Sequence, residues 1–372
     1  QFDQTPTGWY GVFAQTPEFA LTYGLFRSTL APSTGPETSV MCVTGGLFHK
    51  TTARWYPFRT LFSGKGAYSV SGETVSVRVD ASTFLTVDGD AGSVEGRVDI
   101  PSFGVFSFRV VSRAAAVLNG KGGCVPVCFG GVGSSYWSWT NMEATLCPGN
   151  LNLDSCSSAG AESGIGWFDH QWITSGVPRT WFTRFLFGTL SVGKKVTPLK
   201  WIWFAIQQTD AASMKTSAEQ YAGSVTLTDA QAASVRVGTR LSASVNHYTK
   251  AGVRLNVPAR VIVREMVGAY PTRFEIVAGN RRLVLGRIPG SRSEVVLPNG
   301  TTNWEGPAYA FEGSRQWGTG FIECNNMLPG NTALASQIPH LLGQDGAIRL
   351  FRLESGLCVV PWAALGALVV GL

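Results

Sequence analysis

Charge is scarce in this chain. Asp, Glu, Lys and Arg make up 15% of its 372 residues, against about 25% in ordinary soluble domains. The net charge is +6, but the basic residues are scattered, and Lys194-Lys195 and Arg281-Arg282 are only short pairs. No basic run interleaves with aromatics, so a nucleic-acid partner is not expected. Histidine is rarer still. His49, His170, His247 and His340 are the whole set, and none stands at metal-ligand spacing from another His or a Cys pair. No metal site and no cofactor is called for. Gly-x-Ser-x-Gly is absent, which withdraws support from the hydrolase fold built on that elbow. Gly130-Gly131-Val132-Gly133 has no following Lys-Ser/Thr and no helix behind it, so it reads as a glycine-rich β-turn.

Long apolar runs and helical periodicity are also lacking. Residues 358–372 carry no charge, but 15 residues fall short of a bilayer span. They read as a last core strand or helix after the strand expected at 347–353, and no integral membrane span is expected. Two stretches, 211–222 and 332–342, read as short helices. The small, polar stretch 211–223 is also the natural hinge between two halves, which sets expected domains at 1–215 and 216–372. Seven Cys are too few for a dense disulfide scaffold. Cys147 and Cys156 flank a polar loop and could pair; Cys124 and Cys128 sit close together around a Pro. The chain opens on Gln1 rather than Met and carries one sequon, Asn299-Gly300-Thr301. These features fit a processed or truncated N-terminus and a secretory route.

What is abundant is aromatic and glycine content: 12 Trp, 44 Gly, and a hydrophobic fraction of 44%. Short alternating runs dominate, among them Val75-Ser76-Val77-Arg78-Val79, Phe106-Ser107-Phe108-Arg109-Val110, Arg260-Val261-Ile262-Val263-Arg264 and Phe274-Glu275-Ile276-Val277. Period-two alternation puts one face on a core and the other in water. Turn signals such as Asp88-Gly89-Asp90 recur at the rhythm of antiparallel barrels and sandwiches. The expected class is all-β.

One segment stands apart: Trp167-Phe168-Asp169-His170-Gln171-Trp172. In a strand, Phe168, His170 and Trp172 share one face, while Asp169 and Gln171 share the other. An imidazole in an apolar cavity can move a proton near neutral pH. Asp169 could orient it only at a bulge or turn. The indole faces could stabilise a developing carbocation. A plainer reading stays open, with Asp169 capping a turn and His170 a satisfied core residue.

Gly164-Ile165-Gly166-Trp167-Phe168-Asp169-His170-Gln171-Trp172 resembles the signature of the hydroxyneurosporene synthase (carotenoid hydratase) superfamily. That group also holds kievitone hydratase-like enzymes and fungal lipocalin-like Diels–Alderases. Tyr136-Trp137-Ser138-Trp139-Thr140, Trp201-Ile202-Trp203-Phe204-Ala205-Ile206-Gln207, Trp304-Glu305-Gly306 and Gly318-Thr319-Gly320-Phe321-Ile322-Glu323 resemble its other strands, in the same order. The chain departs at Ile173, where the family has Gly, and at Gln208-Thr209-Asp210. The family's early aromatic strand is not recognised. The resemblance implies two lipocalin-like antiparallel β-barrel or sandwich domains with a ligand in or between them. It implies His170 and Trp172 as catalytic residues, to which the reading of the carboxylate beside the imidazole adds Asp169. Tyr136, Trp137, Ser138, Trp167, Trp201, Trp203, Gln207, Glu305 and Glu323 would bind substrate, although for Glu305 and Glu323 a structural role, holding backbone amides at a barrel mouth, is favoured over catalysis.

Three functions follow as expectations. The first is hydration of a hydrophobic natural product, or its acid-triggered cyclisation, with His170 and Asp169 shuttling the proton. The second is a pericyclase that folds a polyene into a reactive shape. The third is a non-catalytic carrier of lipophiles. Each has a hydrophobic small molecule as its partner, in a monomer or simple homodimer.

Overall fold

The computed structural model describes residues 7–29, 39–63, 67–119, 124–126, 133–149, 162–173, 200–210, 214, 216–291, 293–296, 302–325 and 327. The strand expected at 347–353, the helix at 332–342, the apolar tail, the sequon and Cys156 lie outside them. Among the described residues the architecture is two antiparallel β units, as expected from the alternation.

The first unit holds β1 (Thr7–Gln15), β2 (Phe19–Thr29), β3 (Ser39–His49), β4 (Arg54–Ser63), β5 (Tyr68–Ser71), β6 (Thr74–Arg78) and β7 (Phe84–Asp88). It continues through β8 (Ser93–Ile100), β9 (Gly104–Ser112), β10 (Val117–Leu118), β11 (Cys124–Pro126), β12 (Gly133–Pro148) and β13 (Glu162–Ile173). Its strand order is β4-β3-β2-β1-β13-β12-β9-β8-β7-β6-β5. The sheet curls round one core, to which Val12, Leu21, Leu25, Val87, Phe106, Phe108 and Phe168 contribute.

The second unit holds β14 (Lys200–Thr209), β15 (Thr216–Leu227), α1 (Asp229–Ser234), β16 (Arg240–Thr249), β17 (Gly252–Val267) and β18 (Tyr270–Ala278). Then come β19 (Arg281–Arg287), β20 (Ser293–Val296), β21 (Thr302–Glu312) and β22 (Arg315–Asn325). β14 to β19 pair in sequence order, β20 pairs with β21 and β21 with β22, β22 returns to β14, and β19 pairs with β21. The ring β14 to β19, β21 and β22 therefore closes, and closure removes its open edges. Ile202, Phe204, Val261, Phe274, Leu285 and Trp304 fill it. No helix among the described residues is long and apolar enough to cross a membrane.

One expectation needs correction. Residues 216–227 form β15, not a helix. The strand pairing of Tyr221, Gly223 and Val225 overrides the helix propensity of the small residues around them. The first sheet ends with β13 and the second begins with β14, which pairs with β15 and β22. The described helix, α1, is instead set by a capping box between Thr228 and Gln231.

The two units meet through strands buried on both faces. Ile202, Phe204 and Ile206 of β14 point into the closed barrel, while Trp203 and Ala205 join Phe13 and Trp167 of the first unit. Polar straps cross the same seam. A β-bulge in β12 between Trp139 and Met142 takes Thr140 out of the ladder. Its carbonyl accepts from the Gln207 amide at 2.5 Å, and the same nitrogen donates to Gly166 at 2.9 Å. Gln15 donates to the Gly320 carbonyl at 2.6 Å. Gln207→Leu would leave both carbonyls without this donor in a buried place. It should destabilise the protein by about 2–4 kcal/mol in urea unfolding. An unchanged midpoint would show that the strap is not holding the seam.

Candidate functional site

Alternation along β13 decides what each residue of the aromatic segment can touch. Phe168 and His170 face the first core; Trp167 and Asp169 face the second unit. The bulge that could have turned Asp169 toward His170 lies in β12, opposite Trp167, and β13 stays regular. Asp169 and His170 therefore do not form the expected pair. This corrects the reading of one proton shuttle built from both.

His170 is buried, stacked on Tyr10 at 4.1 Å with ring planes 10° apart, and edge-on to Trp137 at 5.8 Å. Its Nδ1 lies 3.1 Å from the Trp9 carbonyl. A carbonyl only accepts, so Nδ1 carries the proton and the tautomer is fixed by backbone. Burial lowers its pKa to about 4, opposed by that carbonyl, so the imidazole is neutral at physiological pH. Trp137 and Trp139 separate it from an open groove of about 610 Å³, also lined by Arg113, Ser112 and Asp90.

Asp169 is the centre of a different cluster. Its Oδ1 accepts from Ser138 Oγ at 2.5 Å and Trp167 Nε1 at 2.7 Å, and its Oδ2 accepts from Tyr136 at 2.8 Å. Ser138 stands directly opposite Asp169 across β12 and β13, with Tyr136 on the same face. Asn119 donates to Ser138 Oγ at 2.7 Å. The Asn119 carbonyl in turn accepts from Asn246 at 3.0 Å and Tyr248 at 3.5 Å, both from the second unit. Burial raises the Asp169 carboxyl to about 6 against the pull of its three donors. Burial, with the neighbouring carboxylate, also drives the Tyr136 phenol well up. A carboxyl poised near neutrality is suited to giving and taking a proton. Tyr136 and Ser138 hydroxyls can rotate and satisfy either protonation state.

A second acidic cluster faces the seam from the closed barrel. Glu305 and Glu323 sit opposite each other on β21 and β22. Glu323 accepts from Trp201 Nε1 at 3.0 Å and Asn303 at 2.9 Å; Glu305 accepts from Asn303 at 3.3 Å. Burial raises Glu305 to about 7. Burial first, then the charge of Glu305 and that of Asp169, raise Glu323 well above the carboxylate range. Their partners are side chains, not the backbone amides expected at a barrel mouth.

The expected residues thus divide. Asp169, Tyr136, Ser138 and Trp167 come together; Trp201 and Glu323 form a neighbouring cluster with Glu305. Trp203 stacks on Phe13 at 5.3 Å and packs on Trp167 at 6.0 Å, inside the seam. Gln207 is engaged in the strap. His170 and Trp137 lie on the other face, and the Trp172 side chain lies outside the described residues. Asn119, Asn246, Tyr248 and Asn303 were missed, since no local pattern marks them. Trp9-Tyr10 offered a signal that was passed over: β1 carries this pair and runs antiparallel to β13 from Gly8 to Gln15. Cys147 is disulfide-bonded, and Cys324 is a buried thiol.

The two buried groups should bend the stability profile in opposite directions. Asp169 is raised from 3.8 to about 6, so its contribution is full below pH 3.8 and is lost as pH rises through about 6. His170 is lowered from 6.5 to about 4, so its contribution is full above pH 6.5 and is lost as pH falls toward 4. Each amounts to about 3 kcal/mol. Relative to wild type between pH 4 and 6.5, Asp169→Asn should gain stability as pH rises and His170→Leu should lose it. Parallel denaturation curves for all three proteins across that range would contradict both assignments.

Comparison with known proteins finds no matching family model and no matching curated protein. Among solved structures, a candidate AttH protein of Nitrosomonas europaea is similar, with a TM-score of 0.64 and 13% identity. The alignment covers 88% of this chain and 94% of that one. CghA in complex with Sch210972 aligns at a TM-score of 0.48 and 11% identity, over 86% of this chain and 87% of that one. The two-unit all-β architecture is therefore one found among solved proteins, and at this identity the likeness concerns the fold.

Proposed function

We propose that this protein is a lyase or isomerase of hydrophobic small molecules, in which Asp169 gives and takes the proton. The carrying observation is a carboxyl bonded to three donors and raised by burial to about 6 against their pull, at a seam walled by Trp167, Trp201 and Trp203. Protonated Asp169 transfers its proton to an alkene carbon or epoxide oxygen. The carbocation formed lies among indole faces, whose quadrupole favours it. Water or an internal alkene then attacks, and the proton released returns to Asp169, so the cycle closes without net change in the protein. Oδ1 already accepts two hydrogen bonds, one from an indole that cannot reverse, which places the mobile proton on Oδ2, beside Tyr136. The hydratase resemblance of the motif strands supports this reading. His170, neutral and on the opposite face, acts by fixing β13 against β1 rather than as the acid.

Mass spectrometry of hydrophobic metabolites in a host carrying wild type, variant or no protein tests it. Asp169→Asn should reduce product formation about 10²- to 10⁴-fold while the protein still folds. His170→Ala should cost less than about tenfold at pH 7, once stability is matched. Activity should fall as pH rises through about 6, and this limb should be missing from any residual activity of Asp169→Asn. Full turnover in Asp169→Asn would leave a pericyclase; binding without conversion in wild type would leave a carrier.

A further inference from the structure

Five strand pairings place six residues in one row across the first sheet. Arg59 stands opposite Thr44, Thr44 opposite Gly24, Gly24 opposite Gly11, Gly11 opposite Asp169, and Asp169 opposite Ser138. Their neighbours Phe58, Val43, Tyr23, Leu25, Tyr10, Val12, Phe168 and Trp137 all point into the first core. The row therefore lies on the outer face, the one that carries Asp169.

The middle of the row has no side chains, and aromatic rings occupy the space. A Cβ on Gly11 would fall 1.8 Å from the Trp9 ring, and one on Gly24 would fall 2.9 Å from the Phe26 ring. Trp9 and Phe26 stack on each other at 5.9 Å with planes 15° apart, and both keep some exposed surface. Two glycines thus let two rings lie flat as an apolar floor. One end of that floor is Asp169. The other is Arg59, four strand steps away, or roughly 19 Å between backbones.

Arg59 is anomalous. Its Nε and Nη2 are buried and make no hydrogen bond. Guanidinium stays charged at any physiological pH, and a buried charge without acceptors is unfavourable. Nε and Nη2 are the side edge of the guanidinium, which fits two oxygens of one oxyanion. Arg264 uses that same edge on Glu275. Among the described residues Arg59 has no such carboxylate.

We infer that the outer face of the first sheet binds an elongated apolar molecule ending in a carboxylate or phosphate. The oxyanion lies on Nε and Nη2 of Arg59, the apolar body lies on Trp9 and Phe26, and the far end reaches Asp169. This names the substrate class for the reaction proposed above and rests on that reading only for what happens at the Asp169 end.

Calorimetric titration of the full chain with laurate, lauryl phosphate and lauryl alcohol tests the assignment. One of the two oxyanions should bind wild type at least about tenfold more tightly than the alcohol, and which one does so identifies the head group. Arg59→Met should weaken that oxyanion about ten- to hundredfold and change the alcohol less than about threefold. Equal binding of oxyanion and alcohol, or equal loss of both in Arg59→Met, overturns the proposal. Without ligand, Arg59→Met should melt no lower than wild type, because it removes a half-buried guanidinium whose Nε and Nη2 have no acceptor. A clearly lower melting temperature would mean that the guanidinium is needed for the fold, which also overturns it. Asp169→Asn should retain oxyanion binding. If that variant also keeps full turnover, the acid–base reading fails while the Arg59 site stands; if only the Arg59 results fail, the acid–base reading stands.

Discussion

Everything in this structure turns on a seam between two β units whose contacting strands have no solvent face. β13 and β14 bury side chains on both sides, toward their own cores and toward each other. Antiparallel sheets ordinarily leave one face wet and place their polar residues there. At the seam that outlet is closed, so each polar group on the inner side needs a partner from the protein. Gln207 and Gln15 satisfy backbone carbonyls across the gap. Asn119 joins Ser138 to Asn246 and Tyr248, tying the network of one unit to the other.

The same closure explains the chemistry. A carboxyl on a wet sheet face would titrate near 4. At the seam Asp169 is raised to about 6 and Glu305 to about 7, each chiefly by burial. Three donors keep Asp169 from rising further. His170, one residue along, experiences the same loss of water with the opposite consequence, because burial disfavours its charged form. Neighbours in sequence thus become an acid poised near neutrality and a base locked neutral. Their separation onto two faces keeps one from titrating the other.

How much of this was readable follows from the physics of each feature. One-sided strands such as β6 and β8 announced themselves by alternation, and their burial patterns repeat it. The seam strand β14 lacks that alternation: Trp201 to Gln207 is a nearly unbroken apolar run because both faces are covered. The motif strands, singled out by their family resemblance, lie together in the structure. Face assignment along β13 followed from period two alone. Partners distant in sequence could not follow. Asn119 and Asn246 are 127 positions apart, and nothing local in either strand encodes the packing of one sheet on another. The helix expected at 211–222 failed for the same reason, since small residues there serve a strand pairing that only the closed barrel supplies.

The row from Arg59 to Asp169 illustrates the limit most sharply. Gly11, Gly24, Thr44 and Arg59 are unremarkable in sequence, and each becomes informative only once the register aligns them. Folding alone does not account for a half-buried guanidinium whose Nε and Nη2 are covered without acceptors. A methionine of similar length would fill the space at lower cost. Nor does folding call for glycines where β-branched residues would favour the strand. At Asp169 too, an asparagine could meet Ser138 and Trp167 without the penalty of ionisation in a dry seam. Three departures from what stability favours lie on one straight line across five strands, joined by two stacked rings. Local rules are broken together at sites that bind or react, and their alignment here supports one extended site better than three separate accidents of packing.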